Sequence, residues 1–375
     1  MSWLKIEIPF KIKKPILAAG ADIKNRICFA KDNLVFINAA IEDLEIPGNF
    51  DKFKKGIAAV PRCFKVLPKL IACDDHPEYF SRRYLLGIQD SRRSRLISVN
   101  HHHAHIASCM LENGLTNQKV IGVAFDGTGF GSDNTLWGAE FLLADYKGFK
   151  RAAHLRNIAL LGSKAAILQP WRLAAAWLYL AFGNRFLDLN LLPGLKRQQW
   201  SVLETMFKHG FNAPLASSIG RLFDAAACLI LGIQKVKFEA EAAIILEKFA
   251  SRFKGIPTSY PFKINKNSSS FIIDPLATFK GIVKDLKHNH KKEEMAARFH
   301  MTVAQMINKV CRKIRENSNI NTVALSGGVF QNRILLNLSS ELLKRAGFRI
   351  LTHKVLSCSD ASISLGQMAI ANFAK

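Results

Sequence analysis

Residues 119–133 read KVIGVAFDGTGFGSD, and residues 322–332 read TVALSGGVFQN. Each stretch is a short apolar run that ends in a cluster of glycines, which is typical of a buried strand followed by a tight turn. The second stretch leads into a helical pattern over residues 333–346. We therefore predict an α/β protein of two halves, each with a glycine turn after a buried strand. In such sheets, ligands bind at the carboxyl ends of strands, which here form a cleft between the halves.

The surrounding sequence completes this picture. Short strands are predicted at residues 15–20, 26–30, 34–38, 96–100 and 135–143, and apolar spacing of three and four residues predicts helices at 170–182, 221–231 and 293–316. A polar stretch over 255–274 is interpreted as a surface loop or a hinge. We divide the chain into an N-terminal lobe, residues 1–150, and a C-terminal lobe, residues 151–375, with a helical insert at about 160–250.

Composition restricts the class of protein. The chain has 375 residues, of which 49% are hydrophobic and 22% charged, so a large core is possible. Lys and Arg number 53 against 29 Asp and Glu, and the net charge of +24 fits an anionic partner such as a nucleotide or a nucleic acid. The alternative is a charge that serves solubility alone.

We expect neither a membrane-spanning segment nor a site built from cysteines. No apolar run approaches the roughly 20 residues of a membrane span, and the first residues do not resemble a signal peptide, so we expect a cytoplasmic protein without a membrane partner. The seven cysteines are scattered and contain no CxxC pair, which argues against a disulfide framework and a cysteine zinc site.

The most distinctive local motif is NHHHAH at residues 100–105. It follows a predicted strand and begins a helix, so His101 and His105, four residues apart, lie on one helix face. That spacing suits two imidazole ligands of one metal ion. The alternative is a surface or core histidine run. A further ligand must come from elsewhere: Asp360 is a candidate, although it could also be a helix N-cap, and spacing alone does not select it.

The glycine turns are candidates for binding phosphate. In the first turn, glycines allow backbone amides to approach phosphate oxygens, Thr128 adds a hydroxyl, and Asp126 could bind a metal. The second turn precedes a helix, whose N-terminus attracts anions. Either turn alone could be structural, but two at equivalent positions indicate a nucleotide in the cleft. Asp224 and Glu239, in otherwise apolar helices, could accept hydrogen bonds from a ribose or could simply face solvent.

Together these segments resemble a known family. The chain is similar to the C-terminal part of HypF, the hydrogenase maturation carbamoyltransferase, over roughly residues 15–371. The resemblance rests on long motifs: VNHHHAHIASCMLENGL (99–115), GVAFDGTGFGSDNTLWGAEFLLAD (122–145), IGRLFDAAACLILGI (219–233) and VALSGGVFQNRILLNLSSELLKRAGFRILTH (323–353). It implies a two-lobed actin-like fold of the sugar-kinase/Hsp70 (ASKHA) type, which the family shares with the tRNA threonylcarbamoyladenosine transferase.

The resemblance also implies a function. Members of the family bind a divalent metal, iron or zinc, and a nucleotide, ATP or AMP. They move a carbamoyl group from carbamoyl-adenylate to the C-terminal cysteine thiol of the partner protein HypE. The metal would activate the carbamoyl group, and the amide-rich loops would stabilise the departing adenylate.

Site residues are implied by motif match. The catalytic metal ligands would be His101, His105, Asp126 and Asp360. The nucleotide-binding residues would be Lys24, Gly127, Thr128, Gly129, Asp224, Glu239, Gly327, Gly328 and Asn332.

The sequence departs from the family pattern in two respects. Family glycines are replaced by Glu42, Asn134, Ser163 and Ala240, among others. Full-length members also carry acylphosphatase-like, zinc-finger and adenylate-forming domains before this part, so we expect a separate adenylate-forming protein as a partner.

Three functions remain open at this point. The first is a stand-alone carbamoyltransferase acting on a HypE-like thiol. The second is a transferase acting on tRNA or a small molecule, which the basic charge favours. The third is a non-catalytic paralogue that serves as a binding scaffold, which the lost glycines favour.

Overall fold

The fold is built from two β-sheets with helices packed on and between them. A computed structural model describes residues 3–92 and 94–374, with the backbone alone at 89–92. The first sheet has the order β2-β1-β3-β4. Its strands are β1 (Trp3–Ala18), β2 (Cys28–Asn38), β3 (Leu70–Asp74) and β4 (Arg95–Val99).

The second sheet follows the order β10-β11-β7-β6-β5-β12-β13, with β9 pairing beside β6 and β8 pairing with β9. Its strands are β5 (Val120–Phe130), β6 (Leu136–Asp145), β7 (Gly148–Leu155), β8 (Ile158–Ala159), β9 (Leu215–Ser218), β10 (Lys263–Lys266), β11 (Phe271–Asp274), β12 (Thr322–Ser326) and β13 (Arg349–Leu351).

The described residues also contain twelve α-helices. They are α1 (Pro47–Phe64), α2 (Phe80–Arg92), α3 (His101–Glu112), α4 (Lys164–Leu168), α5 (Pro170–Phe182), α6 (Arg197–His209), α7 (Ile219–Leu231), α8 (Glu241–Ala250), α9 (Leu276–Lys287), α10 (Lys292–Ser318), α11 (Arg333–Arg345) and α12 (Ile363–Phe373). No helix in these described ranges is long and apolar enough to span a membrane.

The layers follow from the alternation of side chains along each strand. Ile71 of β3 faces α1 and α2 in one core, whereas its neighbour Ala72 faces the middle layer. That middle layer contains α3 and α12, and it lies between the two sheets. The outer face of the second sheet carries the helices of the insert together with α9, α10 and α11. Helix α3 is therefore covered on both sides.

Three sequence predictions of local structure are wrong. Residues 26–30 and 34–38 belong to one strand, β2, because its pairing with β1 continues through an irregularity near Asp32. The tight turn expected at 126–133 is largely strand, since β5 continues to Phe130 and pairs with β6 after a register shift. The loop expected at 255–274 contains the β10–β11 hairpin, whose turn is held by the Asn267 side chain, which accepts hydrogen bonds from Ser269 N and Ser270 N.

The two glycine stretches are brought side by side by the second sheet. Strands β5 and β12 are parallel neighbours, with Ala124 opposite Ser326, so both turns leave the sheet at the same edge. The change from the first sheet to the second falls between Glu112 and Val120. Residue 150, where we placed the boundary between the two lobes, lies within β7, and the division into lobes at this point stays a prediction.

The contact between α3 and α12 depends on one glycine. A Cβ atom at Gly366 of α12 would lie 1.8 Å from the carbonyl oxygen of Ala104 in α3. The two helices can approach this closely only because residue 366 has no side chain.

We predict that Gly366→Ala lowers the free energy of unfolding by about 2–3 kcal/mol, because the methyl group forces α3 and α12 apart. Denaturant unfolding of the purified variant measures this. Gly87→Ala is the matched control, since Gly87 lies in α2 with open space around it and Ala there should stabilise by about 0.5–1 kcal/mol. Equal stabilities of the two variants would contradict the prediction.

Candidate functional site

The histidine run lies in the protein interior. Helix α3 begins at His101, and the side chain of Asn100 caps it by accepting a hydrogen bond from His103 N at 3.1 Å. All four histidines of the run are buried, which excludes a surface histidine patch. His103 Nε2 lies 2.6 Å from the carbonyl oxygen of Asp145 and is structural, whereas His101 and His105 point together toward the second sheet.

Two carboxylates meet these two rings. Asp126 Oδ2 lies 2.9 Å from His105 Nε2 and 3.6 Å from His101 Nε2. Asp360 Oδ1 lies 3.6 Å and 3.8 Å from the same two nitrogens. One possible ligand atom of each residue lies within 4.8 Å of those of the other three. The structure thus brings together the four residues for which sequence motifs implied a metal site.

The donor set fits a divalent cation. His101 Nε2 is buried and has no hydrogen-bond partner in the described part of the chain, although it faces both carboxylates. Two imidazole nitrogens and two carboxylate oxygens are ligands that zinc and iron accept. A buried polar nitrogen without a partner is costly, and a bound cation would give this nitrogen a partner by accepting its lone pair.

The electrostatics of the cluster agree with this fit. Burial alone would lower the pKa of His101, but the charges of Asp74 and Asp360 outweigh it and raise that pKa well above its ordinary value. Burial alone would raise the pKa of Asp126, but its close approach to His101 and His105 holds it well below its usual range. The point where the rings converge is therefore strongly negative, which attracts cations.

Asp74 forms a second layer behind the cluster, and our sequence analysis missed it. Its Oδ2 lies 2.8 Å from His101 Nδ1, and both side chains are buried. This contact leaves Nε2 of His101 free to face Asp126 and Asp360. Asp74 belongs to the segment ACDDHPEYF at the end of β3, which the family resemblance includes. No local sequence pattern indicates that this aspartate contacts His101 of α3.

A cavity of about 630 Å³ opens beside the cluster. Six of the predicted nucleotide-binding residues line it: Lys24, Gly127, Thr128, Glu239, Gly328 and Asn332. The carboxylates of Asp126 and Asp360 form part of the same wall. The two carboxylates of the cluster and both glycine turns therefore face one space.

The other three predicted nucleotide-binding residues lie outside the cavity wall. Gly129 packs against the rings of His101 and His102, and Gly327, at φ +104°, packs over the carbonyl of Phe125. Asp224 is buried behind Arg221, whose Nη1 lies 3.2 Å from its Oδ2. Burial raises the pKa of Asp224 to about 6, with Arg221 opposing the shift. A direct contact of Asp224 with ribose stays a prediction.

Arg221 lines the cavity and was missed from sequence. Its Nη2 donates to Glu239 Oε1 at 2.9 Å, so it joins the two acids that we had predicted to bind ribose. Gly127 makes room for this pair, because a Cβ atom there would lie 2.4 Å from Glu239 Oε1. The acids are thus held in place by a buried arginine.

Glu112 ties three parts of the site to each other. It ends α3, and its Oε2 accepts hydrogen bonds from Lys354 N and Val355 N at 2.7 Å. Its Oε1 lies 2.8 Å from His353 Nδ1, and His353 Nε2 lies 2.8 Å from Ser326 Oγ. Burial would raise the pKa of Glu112, but the contact with His353 lowers it. This relay fixes the chain before Asp360 against α3 and the end of β12.

Four residues at positions where the family resemblance implied glycine have a positive φ. Glu42, Asn134, Ser163 and Ala240 have φ between +51° and +71°, the left-handed region that favours glycine. Ala240 is the N-cap of α8 and lines the cavity. Each such position carries local strain of about 1 kcal/mol or more.

Two family models match most of the chain. One family model, described as the HypF Kae1-like domain, matches residues 11–112. A second, described as the second subdomain of the Kae1-like domain of a carbamoyltransferase, matches residues 122–367.

Similar curated proteins carry the same family name. Carbamoyltransferase HypF of Synechocystis sp. is 34% identical, and the match covers 97% of this chain and 48% of that protein. A carbamoyltransferase HypF homolog of Cupriavidus necator is 30% identical, with 95% of this chain and 91% of that protein covered. The chain spans about half the length of most of the curated relatives it matches.

Two solved structures share the fold. Full-length HypF in a phosphate- and nucleotide-bound form is 36% identical and superposes with a TM-score of 0.91 over 98% of this chain and 47% of that chain. HypF of T. kodakarensis is 25% identical, with a TM-score of 0.89 over 99% of this chain and 50% of that chain. The expected two-lobed, actin-like α/β fold is confirmed.

We predict that Asp74→Asn weakens metal binding by about 10- to 100-fold, because the amide no longer holds His101 as the carboxylate does. Titration of the metal-free protein with Co²⁺, followed by its visible absorption, measures the affinity directly. Asp75→Asn is the matched control: it makes the same carboxyl-to-amide change one residue away, and Asp75 accepts a hydrogen bond from Asn100 at 3.4 Å, whereas Asp74 contacts His101 Nδ1. Unchanged Co²⁺ affinity in Asp74→Asn would refute the orienting role.

Proposed function

This chain belongs to the HypF carbamoyltransferase family, and from that premise we propose that it transfers a carbamoyl group from carbamoyl-adenylate to an acceptor thiol. The observation that carries the proposal is that one cavity is lined both by the two carboxylates of the four-residue cluster and by both glycine turns. A carbamoyl-adenylate has an anionic phosphate, a nucleoside and a reactive carbonyl, and these three chemistries correspond to the three parts of the wall. Nucleotide binding is further supported by the nucleotide-bound HypF structure.

The chain's residues would divide the work as follows. His101, His105, Asp126 and Asp360 would hold a divalent metal, iron or zinc, which when bound supplies a Lewis acid. The amides of the two glycine turns would hold the phosphate and stabilise charge on the departing AMP. Lys24 lies on the same wall and adds a positive charge for the phosphate. Arg221 and Glu239 would receive the nucleoside.

The reaction balances with an external thiol. The acceptor sulfur bonds to the carbamoyl carbon, the bond from that carbon to the phosphate oxygen breaks, and AMP leaves with the bonding electrons. The thiol proton is lost to solvent. We propose a protein resembling HypE as the acceptor and a separate adenylate-forming protein as the source of carbamoyl-adenylate, in hydrogenase maturation in the cytoplasm.

A second candidate is a transferase that acts on RNA, and one observation favours it. Between Lys248 and Lys292 the chain has ten Lys and Arg residues and two acids. All ten are exposed, and none forms an ion pair within the described part of the chain: Lys248, Arg252, Lys254, Lys263, Lys266, Lys280, Lys284, Lys287, Lys291 and Lys292. The two acids, Asp274 and Asp285, are paired with Arg156 and Arg298. Such a surface suits a phosphate backbone.

The third candidate, a binding scaffold without catalysis, predicts a cavity that takes no nucleotide. Calorimetric titration of AMP into the metal-loaded protein distinguishes it from the first candidate.

We predict that the protein carbamoylates the terminal cysteine of a HypE-like acceptor. The assay supplies a purified adenylate-forming enzyme, ATP and carbamoyl phosphate, and mass spectrometry of the acceptor measures the product. His101→Ala/His105→Ala should lower the rate by two orders of magnitude or more, in line with about 10²–10³ for lost electrostatic stabilisation. His288→Ala/His290→Ala is the matched control on an exposed surface. A cavity that binds AMP without any transfer would reject the proposal.

For the RNA candidate, we predict binding whose logarithmic affinity falls steeply with the logarithm of salt concentration. Lys284→Glu/Lys287→Glu should reduce that slope by about 1.4–1.8, because two phosphate contacts are lost. Fluorescence anisotropy with a labelled tRNA measures it. Lys52→Glu/Lys55→Glu, with the same spacing on the exposed face of α1, serves as the control. Equal slopes for both variants, or no binding at low salt, would exclude this surface.

A further inference from the structure

The phenol of Tyr79 has no role in the function described so far. Tyr79 directly precedes α2 and lines the cavity together with Asp126 and Asp360. Its ring stacks face to face on the imidazole of His76, at 4.3 Å between centroids and 7° between planes. Its hydroxyl has no hydrogen-bond partner in the described part of the chain. A polar group at the cavity wall thus remains free for a ligand.

The position of this ring is tightly specified by the segment at the end of β3. His76 N donates to Asp74 Oδ1 at 3.0 Å, and His76 Nδ1 accepts from Glu78 N at 3.2 Å. The ring of Phe130, in the first glycine turn, packs against His76 at 5.3 Å. Asp74 also holds His101. One carboxylate therefore positions both a predicted metal ligand and the ring on which Tyr79 stacks.

A second anchor holds Tyr79 from the other side. Asp22 Oδ2 accepts from Phe80 N at 2.6 Å, and Asp22 Oδ1 accepts from Ser81 N at 3.0 Å. Asp22 precedes Ile23 and Lys24, which also line the cavity. The Lys24 loop and the start of α2 are thus joined next to Tyr79. A donor fixed by its surroundings before the ligand arrives is the arrangement that stabilises developing charge most effectively.

The charge environment keeps the hydroxyl protonated. Burial, followed by the nearby charges of Asp74 and Asp360, raises the pKa of Tyr79 well above its ordinary value. At neutral pH the phenol is therefore a neutral donor. The carboxylates at this end of the cavity can only accept hydrogen bonds when ionised, whereas a carbonyl oxygen requires a donor. Tyr79 offers that donor beside the predicted metal ligands.

We propose that the Tyr79 hydroxyl donates a hydrogen bond to the carbonyl oxygen of the group being transferred. This inference rests on the proposed carbamoyl transfer. When the acceptor sulfur adds to the carbamoyl carbon, the carbonyl π electrons move onto that oxygen and make it an anion. The hydrogen bond from Tyr79 strengthens at this moment, and it relaxes when the bond to phosphate breaks and AMP leaves. Tyr79 is then a catalytic residue.

Two adenosine analogues isolate this contact without turnover. One is 5′-O-(N-carbamoylsulfamoyl)adenosine, a stable mimic of carbamoyl-adenylate, and the other is 5′-O-sulfamoyladenosine, which lacks the carbonyl. Calorimetry on the metal-loaded protein should show that Tyr79→Phe weakens binding of the first analogue by about 3- to 10-fold, as expected for one lost hydrogen bond. The affinity for the second analogue should be unchanged. In the transfer assay, Tyr79→Phe should lower kcat by about 10²-fold and raise KM for carbamoyl-adenylate by no more than about 3- to 10-fold.

The controls separate the possible failures. Tyr84→Phe removes a hydroxyl from α2 inside an aromatic cluster with Phe50 and Phe53, and it should alter neither analogue. If the wild-type protein binds neither analogue, the carbamoyl-transfer function and the role of Tyr79 both fail. If the wild-type protein prefers the carbamoylated analogue and Tyr79→Phe retains that preference, the role of Tyr79 alone is overturned.

Discussion

The structure depends on the burial of two imidazoles between two sheets. Helix α3 places His101 and His105 where water does not reach, and unpartnered polar groups there would be costly. Three carboxylates supply the partners: Asp74 from the end of β3, Asp126 from β5, and Asp360 from the turn before α12. Both sheets and the last helix must therefore be in place before the cluster exists. The Gly366–Ala104 contact and the Glu112–His353–Ser326 relay hold those parts together.

The second constraint is steric and concerns the backbone at the cavity. Strands β5 and β12 deliver their glycine turns side by side, and each glycine there leaves space for a particular neighbour. Gly127 admits the Glu239 carboxylate, and Gly327 admits the carbonyl of Phe125. At Ala240 of the same wall a residue with a side chain has the left-handed conformation, at φ +71°. The surrounding packing, rather than the preference of the residue itself, must hold that strained shape.

Charge is distributed differently in the site and on the surface. The four-residue cluster and Asp74 behind it supply three carboxylates, whereas ten of the twelve charged residues from Lys248 to Lys292 are basic and exposed. Part of that segment forms β10, at the outer edge of the second sheet, with β11, β7 and β6 between it and the strands that carry the glycine turns. The net positive charge of the chain is therefore not the charge of the four-residue cluster.

The sequence by itself determined the features that depend on local spacing and on long motifs. The four-residue interval between His101 and His105 predicts one helix face, the two glycine stretches predict turns after buried strands, and the family motifs select Asp126 and Asp360. Tertiary structure alone decided which distant groups meet these residues. Asp74, Tyr79 and Arg221 reach the site through sheet order and helix packing, which local periodicity does not encode. Helices α1 and α2 and the β10–β11 hairpin were missed for a related reason: their patterns are short or mixed, and packing against the sheets stabilises them.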